Sequence, residues 1–413
     1  MFDRIIGGGG RGSYSERGAG PVTKVTPHAA RVSLHKTTFA SARVFYNAGV
    51  KTWDVIVIGG GIIGLSLAIE LRRQGASVLV VERGEPGREA SYAAGGMLVD
   101  CSMETLAALQ ELATASARMY PQFVNELEVE SGLHVDLRDQ GSIVFPAPEF
   151  PSPEQAQERP GSAVADVLLK PLPAPLPDLE PALAGCNRPA FYLQERSVDP
   201  RDLVAAALAA AKRLGVDLSS REAVTEVHLS DGRVNGVVTQ KTSFLSSKVV
   251  NCAGAWSGQI GPYPFPTRPV KGQMLYLLPP NRGLLAHVIR SPQVYMIPRS
   301  DGRILVGTTV EEAGFDKRTG VATIQRLHRA AVELIPELRN AKILEDWAGL
   351  RPGTPDALPI LGATTTPGYY VATGHFRDGI LLAPVTARVM AQVINGQDPE
   401  YNLDAFLAAR FLR

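Results

Sequence analysis

From Val55 to Ile58 the chain is an unbroken β-branched run, the pattern of a strand buried on both faces. Gly59-Gly60-Gly61-Ile62-Ile63-Gly64 follows at once. Residues 65–74 then predict a helix that Gly75 ends, and residues 77–81 predict a second strand closing on Glu82. This is one βαβ unit. Residues 103–130 carry apolar positions at helical spacing, and residues 200–214 predict an Ala-rich helix with Pro200 near its first turn. Residues 224–240 predict a hairpin turning at Asp231-Gly232, and residues 248–252 a strand entering the small-residue turn Ala253-Gly254-Ala255-Trp256-Ser257. Strands around 274–278, 294–298 and 303–309 predict an antiparallel sheet in a second domain. Near the end, a strand at 369–373 enters Gly374-His375-Phe376-Arg377-Asp378-Gly379, with a helix expected from 380 to about 394.

Between Pro146 and Pro181, 10 of 36 residues are proline, which excludes regular structure over most of that stretch. The uncharged segment from Val55 to Ile69 is 15 residues long, short of the roughly 18 to 20 a membrane span needs. Residues 1–51 hold eight basic residues against two acids, without periodicity or an apolar core, and are set aside as a disordered leader or non-native extension. The remainder carries 34 basic and 39 acidic residues, so nothing in its charge calls for nucleic acid. Cys101, Cys186 and Cys252 lie far apart, without disulfide or zinc spacing, which fits a reducing compartment, the cytoplasm, and no metal site.

The glycines of the βαβ unit have separate tasks. Gly59 permits the tight turn, Gly61 lets backbone approach a pyrophosphate, and Gly64 lets helix and strand pack closely. Phosphate then sits at the helix N-terminus, and Glu82 can accept hydrogen bonds from ribose hydroxyls. The turn from Gly374 to Gly379 offers a second helix start; if the ligand is a flavin, its dipole can stabilise negative charge on the reduced ring, whereas NAD would not need this second site.

The segments Gly59–Gly64, Ala94-Gly95-Gly96-Met97-Leu98, Pro269-Val270-Lys271-Gly272-Gln273-Met274, Trp347-Ala348-Gly349-Leu350-Arg351-Pro352 and Gly374–Pro384 resemble, in this order, the glycine oxidase branch of the D-amino-acid oxidase superfamily. The resemblance implies a mixed α/β fold. Its Rossmann-like FAD-binding domain is built from the discontinuous segments 52–100, 195–262 and 345–413, and its substrate domain, with a mixed or antiparallel sheet, from 101–194 and 263–344. It implies that FAD is lined by Gly59, Gly61, Ile62, Ile63, Gly64, Glu82, Arg83, Ala90, Ser91, Gly95, Gly96, Met97 and Val224. The run Gly374, His375, Phe376, Arg377, Asp378, Gly379, Ile380 and Leu381 joins them. Arg351 would hold the substrate carboxylate, with Arg377 and Tyr295 at further substrate positions. Gln293 and Val310 depart from the family pattern, where a histidine and a methionine stand.

The implied reaction oxidises glycine, or a small relative such as sarcosine or D-alanine, to the imine, with O2 reduced to hydrogen peroxide. Thiazole synthase, in thiamine biosynthesis, is the implied receiver of the imine. No cysteine follows Cys252, so the FAD is expected to be non-covalent. A D-amino-acid dehydrogenase reducing a quinone, and a non-catalytic flavin-binding protein, stay open as alternatives. A tRNA-modifying relative of this fold is disfavoured by the acidic balance. The oligomeric state, a homo-oligomer included, is open.

Overall fold

The computed structural model describes residues 51–99, 106–146 and 170–411. Of the expected leader only Lys51 falls within them, and Cys101 and residues 147–169 of the proline-rich stretch lie outside the described residues.

A first sheet of six strands runs in the order Ile360–Ala363, Tyr369–Thr373, Val249–Asn251, Val55–Ile58, Val78–Glu82, Asp217–Ser220. All neighbours are parallel except the pair formed by Ile360–Ala363 and Tyr369–Thr373. Both faces are covered, which is why Val55–Ile58 reads as a continuous apolar run. Val55, Val57, Val78 and Val80 meet the helices Ile62–Arg73, Pro200–Arg213 and Ala383–Ile394. Ile56, Ile58, Leu79 and Val81 meet Val227, Val234 and Val237, from the antiparallel strands Val224–Ser230 and Arg233–Thr239.

The glycine turn is forced by contact. Gly59 has φ +106°, and a Cβ there would lie 2.5 Å from the Cys252 carbonyl oxygen. At Gly64 a Cβ would lie 2.0 Å from the Gly59 oxygen, so only glycine lets the helix start against the strand.

The second sheet has seven strands in the order Lys342–Gly353, Arg268–Leu278, Ile304–Gly307, Tyr295–Pro298, Val288–Arg290, Ser142–Val144, Phe191–Leu193. Strand alternation sorts its side chains. Leu275, Leu277, Ile289, Met296 and Val306 turn to a core shared with the helix Val321–Leu334. Met274, Tyr276, Ile297 and Leu305 turn the other way, with Met97, Tyr295 and Trp347 packed against them.

Two segments cross the division drawn from sequence. The helix Gln110–Ser131, grouped there with the substrate part, buries Leu112, Tyr120, Val124 and Leu127 in the core of the first sheet's helices. The strand Lys342–Gly353, whose residues 345–353 were grouped with the FAD part, pairs with Arg268–Leu278 along most of its length.

The last helix begins at Ala383 rather than 380. Pro384 lacks the N–H that would reach the Ile380 carbonyl, and the next helical bond is interrupted by Ser116. Its Oγ donates to the Leu381 oxygen at 2.6 Å and accepts from the Val385 amide at 3.3 Å, standing between two groups that a helical turn would join directly. Among the described residues no helix is long and apolar enough to cross a membrane.

Candidate functional site

The Gly59–Gly64 turn opens onto a cleft of about 610 Å³ that reaches from the end of the first sheet to one face of the second. Gly59, Gly61, Ile62 and Ile63 line its start, with Glu82, Arg83, Ala90, Ser91 and Val224 beside them. Gly95, Gly96 and Met97 form a wall; His375, Phe376, Arg377, Asp378, Gly379 and Ile380 form another; Tyr295 and Arg351 stand at the sheet. Three expected residues do not line it. Gly64 and Gly374 are pressed against other chain segments, where a Cβ would lie 2.0 Å from Gly59 O and 2.5 Å from Thr354 Cγ2 respectively. Leu381 is buried, its carbonyl held by Ser116. Both departures from the family pattern also fall outside: Val310 is 65% exposed, and Gln293 borders a separate cavity with Cys186 and Arg188.

At the glycine end the chain holds itself with local hydrogen bonds. The Gly60 and Gly84 amides each donate to one oxygen of Glu82 at 2.8 Å, fixing a carboxylate whose remaining lone pairs can accept from hydroxyls. The Ile62 amide donates to Ser91 Oγ at 3.0 Å. The Arg83 guanidinium lies 4.3 Å from the Trp256 ring centre, and Phe315 lies over the same indole at 5.1 Å.

At the sheet end, register builds the floor. Trp347 stands opposite Met274, Met274 opposite Gly307, Gly307 opposite Tyr295, and Tyr295 opposite Arg290. Residues in such a row share a face. The floor is bare where large groups lie on it. A Cβ at Gly307 would lie 2.9 Å from the Tyr295 ring, and one at Gly272 only 2.3 Å from Nη1 of Arg351. Arg351 donates to Thr309 O at 3.2 Å and Thr308 Oγ1 at 2.9 Å, and among the described residues no carboxylate pairs with it. Burial, then repulsion from Arg377, pull its pKa below the usual guanidinium value. Burial raises the Tyr295 pKa against the pull of Arg351 and Arg377, so its hydroxyl stays protonated. Burial pushes His375 down to about 3, a neutral imidazole whose Nε2 lies 3.2 Å from Thr386 Oγ1.

The two ends are tied together. The Phe376 amide donates to Pro352 O at 3.0 Å, joining the second glycine turn to the strand that carries Arg351. Trp347 Nε1 donates to Ala93 O at 3.2 Å, and Arg299 Nη2 to Gly95 O at 2.6 Å.

The chain matches the family described as DAO, FAD dependent oxidoreductase, over residues 54–393. The chain belongs to that family. It is 35% identical over 368 residues to the bifunctional protein ThiO/ThiG of Trichormus variabilis, covering 87% of this chain but only 55% of that relative's length. It is 35% identical over 356 residues to the glycine oxidase of Pseudomonas aeruginosa, covering 84% of this chain and 95% of that one. The crystal structure of glycine oxidase from Geobacillus kaustophilus superposes with a TM-score of 0.77 at 28% identity, covering 87% and 99% of the two chains. FAD is this family's cofactor, and the cleft fits it. A glycine cradle without side chains meets an acid held open for hydroxyls, and the cleft ends at a half-buried arginine that has no carboxylate partner among the described residues.

Sequence reasoning missed Trp256, Met274, Arg290 and Thr308 as cleft residues, and Ser116 and Tyr120 as supports. Trp256 had a signal: its small-residue turn leaves a parallel strand at the carboxyl end, where such sheets bind ligands. The others follow from register and packing, which leave no short-range mark.

Proposed function

We propose that the chain oxidises glycine, or a small relative such as sarcosine or D-alanine, at Cα to the imine, with O2 reduced to hydrogen peroxide. One observation carries this. Arg351 is a guanidinium with no carboxylate partner among the described residues, in the same cleft as both glycine turns, and it needs an anion of fitting shape. Bound in the cleft, FAD supplies the two-electron acceptor for the hydride leaving Cα. Arg351 holds the α-carboxylate in its planar fork, and Arg377 adds positive charge beside it. Tyr295 offers a protonated hydroxyl as donor. Neutral His375 is a packing partner of the turn and takes no proton at physiological pH. The residues at the floor orient the Cα–H bond and exclude water; none is required as a base once the amine is neutral. The segments around the first sheet serve the cofactor and the face of the second serves the substrate. In the cytoplasm, handing the imine to thiazole synthesis is consistent with the name of the fused relative.

The holo-protein should show flavin absorbance and release peroxide with glycine, sarcosine or D-alanine. Arg351→Met should lower kcat/KM by roughly 100-fold or more while flavin stays bound. Turnover with an artificial dye but none with oxygen would favour the dehydrogenase; flavin binding with no turnover in either assay would leave only a flavin-binding protein.

A further inference from the structure

Arg290 lines the same cleft and has no role in the reaction just described. Register fixes its place. It stands directly opposite Tyr295, and Tyr295 stands opposite Gly307, next to the Thr308 that holds Arg351. Arg290 and that anchor are thus two strands apart, about 10 Å at the backbone, on either side of Tyr295.

The side chain is fixed from behind. Nη1 donates to both oxygens of Glu195, at 3.1 and 3.2 Å, and Ser142 Oγ donates to Glu195 at 2.8 Å. Glu195 itself is buried. Among the described residues neither Nε nor Nη2 of Arg290 donates to a protein acceptor, although the side chain is 19% exposed. A guanidinium held at one nitrogen still presents two parallel donors along its other edge, the geometry that matches a carboxylate. Glu195 balances the charge of the pair, so this edge would select by hydrogen-bond direction rather than by net field.

We propose that the Nε–Nη2 edge of Arg290 is a second anion subsite, and that the substrate class includes amino acids carrying a second carboxylate, on the nitrogen or on Cα. The proposal rests on Arg351 holding the α-carboxylate. With that group in place, nitrogen and Cα lie towards Tyr295, and a further carboxylate extends towards Arg290.

Two substrate pairs separate the two positions: iminodiacetate against sarcosine for nitrogen, D-aspartate against D-alanine for Cα. The expected result is that at least one dicarboxylate is turned over, and that Arg290→Gln lowers its kcat/KM relative to its uncharged counterpart about tenfold or more, mainly through KM. Arg290→Lys should recover part of the ratio. Both members of each pair falling together would overturn the proposal, as would a wild type that turns over the uncharged members but neither dicarboxylate. Because Arg290→Gln takes from the buried Glu195 its arginine partner, at the risk of misfolding, the wild type carries a second test. Glutarate, the carbon analogue of iminodiacetate, should inhibit at least about tenfold more strongly than butyrate; equal inhibition constants would overturn the subsite. Absence of peroxide with glycine, sarcosine and D-alanine alike would instead sink the oxidase reading, a distinguishable failure.

Discussion

The two ends of the cleft are built by different means. At the glycine end, Gly59, Gly64, Glu82 and Ser91 come from one stretch of chain, and their work is done by backbone shape and amides bonded to nearby side chains. At the sheet end, Arg351, Tyr295 and Met274 come from three strands and Thr308 directly follows a fourth, and only register brings them together. A local motif makes a rigid glycine cradle that tolerates almost no change. A floor assembled from distant strands can be altered one residue at a time, which suits the substrate-selecting role proposed for it.

The largest expected effect breaks the first end alone. In Gly64→Ala the new methyl would meet the Gly59 oxygen at 2.0 Å, so the helix must draw back from the strand and the cradle opens. Flavin affinity should fall by about 100-fold or more, or the protein should lose soluble expression; a titration of apo-protein with FAD giving wild-type affinity would show that the close packing is dispensable. Gly272→Ala sharpens the contrast from the other side. Its methyl would sit 2.3–2.6 Å from the Arg351 guanidinium, displacing that group without touching the cradle. KM for glycine should rise about tenfold while the FAD dissociation constant stays within about threefold, since one misdirected charge-assisted hydrogen bond is worth on the order of 1.5 to 3 kcal/mol. Equal loss of flavin and substrate affinity would mean that the two ends are not separable.

The same contrast explains what the sequence could and could not disclose. The unit from Val55 to Glu82 was legible because strand, turn, helix and acid follow one another within a single βαβ unit. The strand Arg268–Leu278 was only half visible, since its first residues, around Lys271 and Gly272, lack apolar alternation and are held in the sheet by pairing with Lys342–Gly353. Arg290 and Thr308 carried no signal at all, because an arginine after Val288-Ile289 and a threonine after Gly307 are ordinary until register sets them beside Tyr295. The early helix expected at 380 failed for a reason partly local and partly distant: Pro384 has no N–H to give the Ile380 carbonyl, which accepts from Tyr120 and the Ala383 amide, and the Leu381 carbonyl is taken by Ser116, more than 250 residues earlier in the chain.

His375 lies on the turn that both ends share, and it gives the smallest and most specific test. Buried and neutral, its imidazole is pushed down to about 3 in the folded protein, from an ordinary value near 6.5. The unfolded chain therefore takes up a proton below about pH 6.5 that the folded chain refuses until about pH 3. The sign follows: the folded state is favoured fully above pH 6.5 and loses ground as pH falls towards 3, by about 2 kcal/mol at pH 5 from this group. His375→Gln removes the titrating ring. Whatever the variant loses at pH 7 from poorer packing, the gap between the two proteins should narrow on going to pH 5, read as apparent Tm of the holo-protein at each pH. A gap that stays constant or widens would mean that the ring is already charged in the fold, and that the turn joining cradle and floor is held by an ion pair instead of by packing.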